Sequence, residues 1–206
     1  MKTINFYYSI GSRYSYLAST QIENLEREFD CQILWHPVNS KKLIGKDGIS
    51  PFNGSPISGQ YEWKYRELDA KRWAKLYNIP YLEPRGKVKF DSELLALACT
   101  AAKQFGKAKE YSRFLFKAMF EDSLSQIDKK ECILRAEICG ISQSDFKIHL
   151  AAKETADELN TTNNWALKHG VFGVPTFIVA GELFWGNDRL VLLRHYLRNS
   201  DFDCLD

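Results

Sequence analysis

Strand-like sequence occupies only the two ends of this 206-residue chain, and a Val-Pro step opens the second of them. Residues 3–10, TINFYYSI, put Ile4, Phe6, Tyr8 and Ile10 on one side of a period-two pattern, as a strand requires. Gly11 interrupts the pattern. From Arg13 the spacing becomes helical, and Leu17, Ile22, Leu25 and Phe29 predict one helix running to Phe29. The next run, CQILWHPV, predicts a second strand stopped by Pro37. A strand-helix-strand unit of this kind implies parallel pairing through a right-handed crossover. At the other end, Gly173-Val174-Pro175 precedes two short strands, 176–180 and 183–186, joined through Gly181-Glu182 as a tight hairpin. Asn187 is then expected to cap a helix over DRLVLLRHYLRN, with Asp188 in its first turn where the helix dipole favours an acid.

Everything between these ends reads as helix or loop. Residues 41–57 are rich in Gly, Ser and Pro and predict a long loop, a feature often functional in compact domains. Helices are expected over 59–78, ending before Ile79-Pro80, from Ser92 as N-cap, over 108–122, and over 129–139 with a stop at Gly140. One long helix is expected from the SQSDF segment to about Lys168. The fold class is therefore α/β: a β-α-β / β-β-α domain, residues 1–40 plus 165–206, with an all-helical insertion, residues 41–164.

Composition narrows the function. A hydrophobic fraction of 45% and an aromatic fraction of 14% are ample for a buried core. The 28 basic and 26 acidic residues are interspersed, so neither nucleic acid nor an acidic membrane surface is an expected partner. The first residues lack the apolar stretch of a signal peptide and no 18-residue apolar run occurs, which makes a cytoplasmic location the expectation. Five cysteines, Cys31, Cys99, Cys132, Cys139 and Cys204, form no CxxC. Cys132 and Cys139 lie two helical turns apart, about 10 Å, beyond the roughly 7 Å reach of a disulfide. Buried reduced thiols are expected. The four histidines show no ligand spacing with each other or with cysteine, so no metal site is expected.

The chemistry-bearing segment is Ser12-Arg13-Tyr14-Ser15, at the strand-helix turn. Taken alone, Ser12 is a good helix N-cap. Together with GVFGVPTFIV, Gly170 to Val179, and FWGNDRL, Phe184 to Leu190, it resembles a family. The element order and the Val-Pro step resemble a thioredoxin-like fold, and the helical insertion resembles its DsbA-like branch. In the oxidoreductases of that branch the turn reads Cys-Pro-His-Cys. The serine form, Ser-Pro-Tyr/Trp-Ser-Tyr/Trp-Leu, is similar to that of 2-hydroxychromene-2-carboxylate isomerases and kappa-class glutathione transferases. Ser12, Tyr14, Ser15, Tyr16 and Leu17 match it; Arg13 stands in place of the proline, and Ser9 where many members carry Asp.

Serine offers neither a low-pKa thiolate nor a resolving thiol, which excludes thiol–disulfide exchange at this turn. The resemblance implies glutathione as cofactor, with Ser12 donating a hydrogen bond to its thiolate. It further implies that Val174-Pro175 is cis, so that the Val174 backbone pairs with the cysteinyl part of glutathione. Asn187 and Asp188 would hold the γ-glutamyl end, and Asn53 is a further candidate contact. Arg13, Tyr14, Tyr65 and Arg72 are candidates for the substrate side, and Tyr61, Trp63, Asp69 and Trp73 for the pocket wall. A serine hydrolase would need a base beside Ser12, and neither His36 nor His169 has an obvious orienting acid. Three readings stay open: a glutathione-dependent isomerase of an aromatic conjugated substrate, a glutathione transferase acting on small electrophiles, and a glutathione- or peptide-binding module without catalysis. The resemblance also implies a homodimer.

Overall fold

A computed structural model describes residues 2–44 and 62–199. The loop expected over 41–57, with Asn53, therefore lies largely outside the described residues, as do Tyr61 and Cys204. Strand β1, Lys2–Tyr8, pairs in parallel with β2, Cys31–Pro37, with Phe6 opposite Trp35 and Tyr8 opposite Pro37. On its other edge β1 runs antiparallel to β5, Thr176–Val179, which pairs antiparallel with β6, Glu182–Trp185. The sheet order is β2-β1-β5-β6. The central strand β1 is covered on both faces, which explains its nearly continuous apolar sequence. Ile4, Phe6 and Tyr8 face the main core, where Phe6 stacks on Phe177 at 4.8 Å and meets Trp35 edge-on at 5.1 Å. Tyr7 faces a smaller cluster with Val38, Leu43, Ala166, Val171 and Ile178.

The segment read as one helix after Gly11 is two: α1, Arg13–Ser19, and α2, Ile22–Phe29. Ser19 and Thr20 hydroxyls donate to the carbonyls of Tyr16 and Leu17, both at 2.7 Å, competing with the helical ladder where the chain bends. The apolar spacing runs through the break, so periodicity alone passes over it. After β2 comes α3, Ser40–Ile44; the described chain resumes with α4, Trp63–Tyr77, closed by Asn78 in the left-handed region at φ 53°.

The remaining insertion is helical apart from one two-stranded parallel ribbon, β3, Lys89–Phe90, with β4, Gln126–Ile127. Its helices are α5, Ser92–Lys103, α6, Ala108–Phe120, α7, Lys129–Ile138, α8, Gln143–Ala151, and α9, Lys153–Lys168. Two expectations are corrected here. Asp91, not Ser92, caps α5, its carboxylate accepting from the Glu93 N–H at 2.9 Å. The long helix to Lys168 divides at Ala152, which is extended at ψ 141°, while the Thr155 hydroxyl donates to the His149 carbonyl at 2.7 Å and satisfies the end of α8. The buried residues of α5, α6 and α7 belong to the same core as Phe6, Tyr8 and Phe177, so sheet and insertion share one apolar interior.

The C-terminal hairpin turns one residue earlier than expected. Ala180 and Gly181 have φ of 48° and 82°, the two positive angles that a type I′ turn demands. The described cysteines, Cys31, Cys99, Cys132 and Cys139, are all buried and unbridged, and burial pushes the Cys99 and Cys132 thiols up to about 12. No described helix is long and apolar enough to cross a membrane.

His36, on β2, stacks on Tyr7 at 4.9 Å and shares a 2.8 Å hydrogen bond with the Asn5 side chain. Burial, with a smaller contribution from Lys103, lowers its pKa from 6.5 to about 4. The unfolded chain therefore binds the extra proton more readily than the native one. This contribution to stability is full above about 6.5 and is lost as pH falls towards 4, worth on the order of 3 kcal/mol. Denaturant titrations from pH 7 to 4 should show parental stability falling more steeply than that of His36→Gln. Parallel curves would refute the assignment.

Candidate active site

The β1–α1 turn is built by the serines themselves. Ser12 is extended, at φ −92° and ψ 114°, and caps α1 by accepting from the Ser15 N–H at 3.2 Å. Its own N–H donates to the Ser9 carbonyl at 3.0 Å. Ser15 is fully buried, with its Oγ 3.5 Å from the Ser9 N–H, so the second serine is a structural group of the turn. The Arg13 and Tyr14 N–H groups, in the first turn of α1, have no partner within the helix, as helix geometry requires.

Facing Ser12 across the sheet end is the Val174-Pro175 peptide, which is cis. The Ser12 hydroxyl points at the Val174 carbonyl from 3.4 Å, a long contact, and no described residue accepts from the Val174 N–H. The Pro175 carbonyl accepts from the Gly186 N–H at 2.9 Å and so draws the start of the last helical segment to the same place. That segment begins with a 3-10 turn, Asn187–Arg189, followed by α10, Leu190–Asn199.

Asn187 is consequently not the cap that its sequence position suggested. Gly186 occupies the cap position at φ 109°, a conformation closed to residues with a Cβ, and a Cβ there would also strike the Asp188 carboxylate. Asn187 is instead 3% exposed, and its Nδ2 has no hydrogen-bond partner among the described residues. Asn187 and the Tyr77 phenol are neighbours: burial raises the Tyr77 pKa and hydrogen bonding from the Asn187 side chain opposes that rise, although the contact falls outside strict hydrogen-bond geometry. Asp188 is exposed and pairs with Arg189 at 2.5 Å.

The candidates from the insertion separate into two groups. Tyr14 comes to the site, but its hydroxyl donates to Asp69 at 2.8 Å, and burial together with Asp69 pushes its pKa up to about 12. Trp63, Arg66 and Asp69 lie on the face of α4 directed at α1. Tyr65 and Arg72 fall on the opposite, exposed face in a row with Leu68 and Leu76, because three- and four-residue steps keep them together on one side. The structure does not bring these two to Ser12.

Arg13 is buried, and its Nη2 donates to Glu83 Oε1 at 2.9 Å. Glu83 also accepts from the Tyr81 hydroxyl at 2.6 Å and from the Arg85 N–H at 3.1 Å. The hydroxyl of Tyr16, also on α1, shares its one proton between the Pro80 carbonyl and Glu121, at 2.6 and 3.0 Å. These bonds lock the 80–85 segment to the first two turns of the site helix.

Sequence reasoning passed over Glu83, Arg85, Phe90 and Trp185. The Phe90 ring lies so close to Gly11 that a Cβ there would sit 2.7 Å from Cε2, and Trp185 covers Gly173 equally closely. Two aromatic rings thus wall the Ser12 turn and the cis-proline loop. A lone acid in the apolar run Ile79-Pro80-Tyr81-Leu82-Glu83-Pro84 was the available signal for Glu83.

No histidine nitrogen is hydrogen-bonded to Ser12, and His169 is spent on Trp165, its ring stacked at 3.4 Å. No group of described residues could hold a metal ion. Two surface grooves lie away from this turn, one over β4–α7 and one beside α2.

Residues 3–198 match the profile of the DSBA-like thioredoxin domain. The chain belongs to that family. Within it, this chain is 28% identical over 198 residues to a 2-hydroxychromene-2-carboxylate isomerase of Sphingobium xenophagum, covering 95% of this chain and 98% of the relative. A protein of the same name from Pseudomonas sp. strain C18 is 25% identical over 193 residues, 93% of this chain and 88% of the relative. A solved structure of 2-hydroxychromene-2-carboxylate isomerase superposes with a TM-score of 0.82 at 24% identity, covering 95% of this chain and 94% of that one. The turn itself carries Ser12 and Ser15 and no cysteine.

Proposed function

We propose that this chain is a glutathione-dependent isomerase of the kind its curated relatives are named for, acting on a conjugated aromatic substrate. The observation that carries the reading is the apposition of the Ser12 hydroxyl and the cis Val174-Pro175 backbone at a turn without cysteine. Glutathione fits the groups at this place: the Val174 N–H lacks an acceptor among the described residues, and the buried Asn187 Nδ2 is an orphan donor where a carboxylate could be received. When bound, glutathione supplies a thiolate that adds reversibly to a conjugated carbon, so that a bond can rotate before the thiolate leaves.

The protein's part is to hold that sulfur as an anion and to orient it. The Ser12 hydroxyl exchanges its long contact with the Val174 carbonyl for a charge-assisted bond to sulfur, worth about 1.5–3 kcal/mol. The unpaired N–H groups of Arg13 and Tyr14 add roughly 0.3–1 kcal/mol. At about 1.36 kcal/mol per pKa unit, a thiol of pKa about 8.5 drops by roughly one to three units and becomes substantially ionised at neutral pH. The Val174 N–H and C=O orient the cysteinyl residue in strand fashion, and Phe90 and Trp185 limit water access from either side.

Calorimetric titration with glutathione tests the reading, with product analysis on an aromatic conjugated acid. Rearranged substrate with glutathione recovered unchanged is the expected result. A stable conjugate would mean transfer instead, and no binding at millimolar glutathione would overturn both.

A further inference from the structure

Thr176 is fully buried, and its hydroxyl donates to the Gly173 carbonyl at 2.7 Å. A threonine hydroxyl has one proton to give, and this one is given three residues back, across the Val174-Pro175 step. Thr176 itself is held firmly. It opens β5 opposite Tyr7 on β1 and Trp185 on β6, so its backbone is fixed from both sides of the sheet. Branching at its Cβ restricts χ1 as well. The carbonyl it grips belongs to a residue with little hold of its own. Trp185 lies so close to Gly173 that a Cβ there would sit 2.7 Å from the indole Nε1. That contact demands glycine, and glycine leaves the torsions on either side of its Cα loosely determined.

The Gly173 carbonyl shares one rigid peptide plane with the Val174 N–H. The cis bond of this loop is Val174-Pro175, whereas Gly173-Val174 is trans. In a trans unit the C=O and N–H point in opposite directions. A carbonyl drawn inwards by buried Thr176 therefore turns the N–H outwards, on the half-buried residue whose own carbonyl meets Ser12. No described residue accepts from that N–H. We propose that Thr176 is a positioning residue for ligand binding: its hydroxyl locks the Gly173–Val174 peptide so that the Val174 N–H faces an incoming acceptor. Thr176 acts through the peptide plane and does not touch the ligand. That the acceptor belongs to glutathione rests on the function proposed above; the orientation of the peptide does not.

Thr176→Val replaces the hydroxyl with a methyl of similar shape, and Thr176→Ser keeps the hydroxyl. Without its donor the buried Gly173 carbonyl is expected to turn towards water, which carries the Val174 N–H inwards. In the ligand-free full-length protein, amide hydrogen exchange at Val174 should be fast in the parent and in Thr176→Ser. It should be at least about tenfold slower in Thr176→Val. A second hydroxyl-free variant, Thr176→Ala, should behave like Thr176→Val. Glutathione should bind the hydroxyl-free variants about 2- to 12-fold more weakly, the loss of one hydrogen bond, and Thr176→Ser at parental strength. Added glutathione should move the Val174 amide proton downfield in the parent and in Thr176→Ser alone. A hydroxyl that merely satisfies a buried carbonyl would lower Tm when removed and leave exchange and shift unchanged, and that result would overturn the proposal. If no protein binds glutathione while Val174 exchange separates them as stated, the peptide lock stands and the isomerase reading falls. Equal glutathione binding with a downfield shift in every variant would leave that reading standing and overturn the lock.

Discussion

Ser12→Ala should lower kcat/KM by about 10- to 150-fold, the loss of one charge-assisted hydrogen bond to sulfur. The ultraviolet absorbance of bound thiolate should titrate about one to two pH units higher than in the parent. The same substitution removes the cap on α1, whose Ser15 N–H loses its side-chain acceptor. That costs typically about 1 kcal/mol and should lower Tm by roughly 2–4 °C. Capping and catalysis are separable, because glycine at an N-cap costs only a few tenths of a kcal/mol. Ser12→Gly should therefore match Ser12→Ala in activity and in thiolate titration while nearly recovering the parental Tm. If the glycine variant recovers activity along with stability, Ser12 is a cap and nothing more.

Glu83→Ala carries the largest expected stability effect of any single substitution near the site. The carboxylate is 6% exposed as a residue, pairs with Arg13 and accepts from Tyr81 and the Arg85 N–H. Deleting it leaves the Arg13 guanidinium buried without a counter-charge, a change that costs about 3–5 kcal/mol. A chain of this length should then melt roughly 10 °C lower. Arg13→Met should cost less, because Glu83 keeps its other two donors. In the double variant Arg13→Met/Glu83→Leu the loss should fall below the sum of the two single losses, as expected where two groups share one interaction. Urea denaturation of the four proteins measures this, and a loss under about 0.5 kcal/mol for Glu83→Ala would show that the pair is not structural.

Much of the architecture is legible in periodicity. The period-two runs ending at Ile10 and Pro37, the long strandless middle and the Val-Pro step before β5 are enough to set element order and the parallel pairing of β1 with β2. What escapes are the helix breaks at Thr20–Gln21 and at Ala152, where hydroxyls of Ser19, Thr20 and Thr155 redirect backbone bonds while the apolar spacing continues. Capping positions slip for the same reason. Asp91 and Ser92 are both good caps, as Gly186 and Asn187 are both good turn residues, and only the bend of the chain decides between neighbours.

At the site, Ser12, Arg13, Val174, Pro175 and Asn187 are accessible to sequence reasoning because they sit in short motifs at element ends. Tyr65 and Arg72 are candidates through a loose motif echo and their residue types, and the helical phase of α4 turns both to solvent.

The residues alone determine that the turn carries two serine oxygens and no cysteine, and that removes thiol–disulfide exchange from it. Which charges surround the Ser12 oxygen is decided only in three dimensions. Arg13 looks like a free cation beside a serine until folding brings Glu83 to its Nη2 and sets the guanidinium carbon 5.3 Å from the centroid of the Trp63 ring. The reason is physical: periodicity encodes which face of an element is apolar, whereas the pairing of buried charges depends on contacts between residues about seventy positions apart.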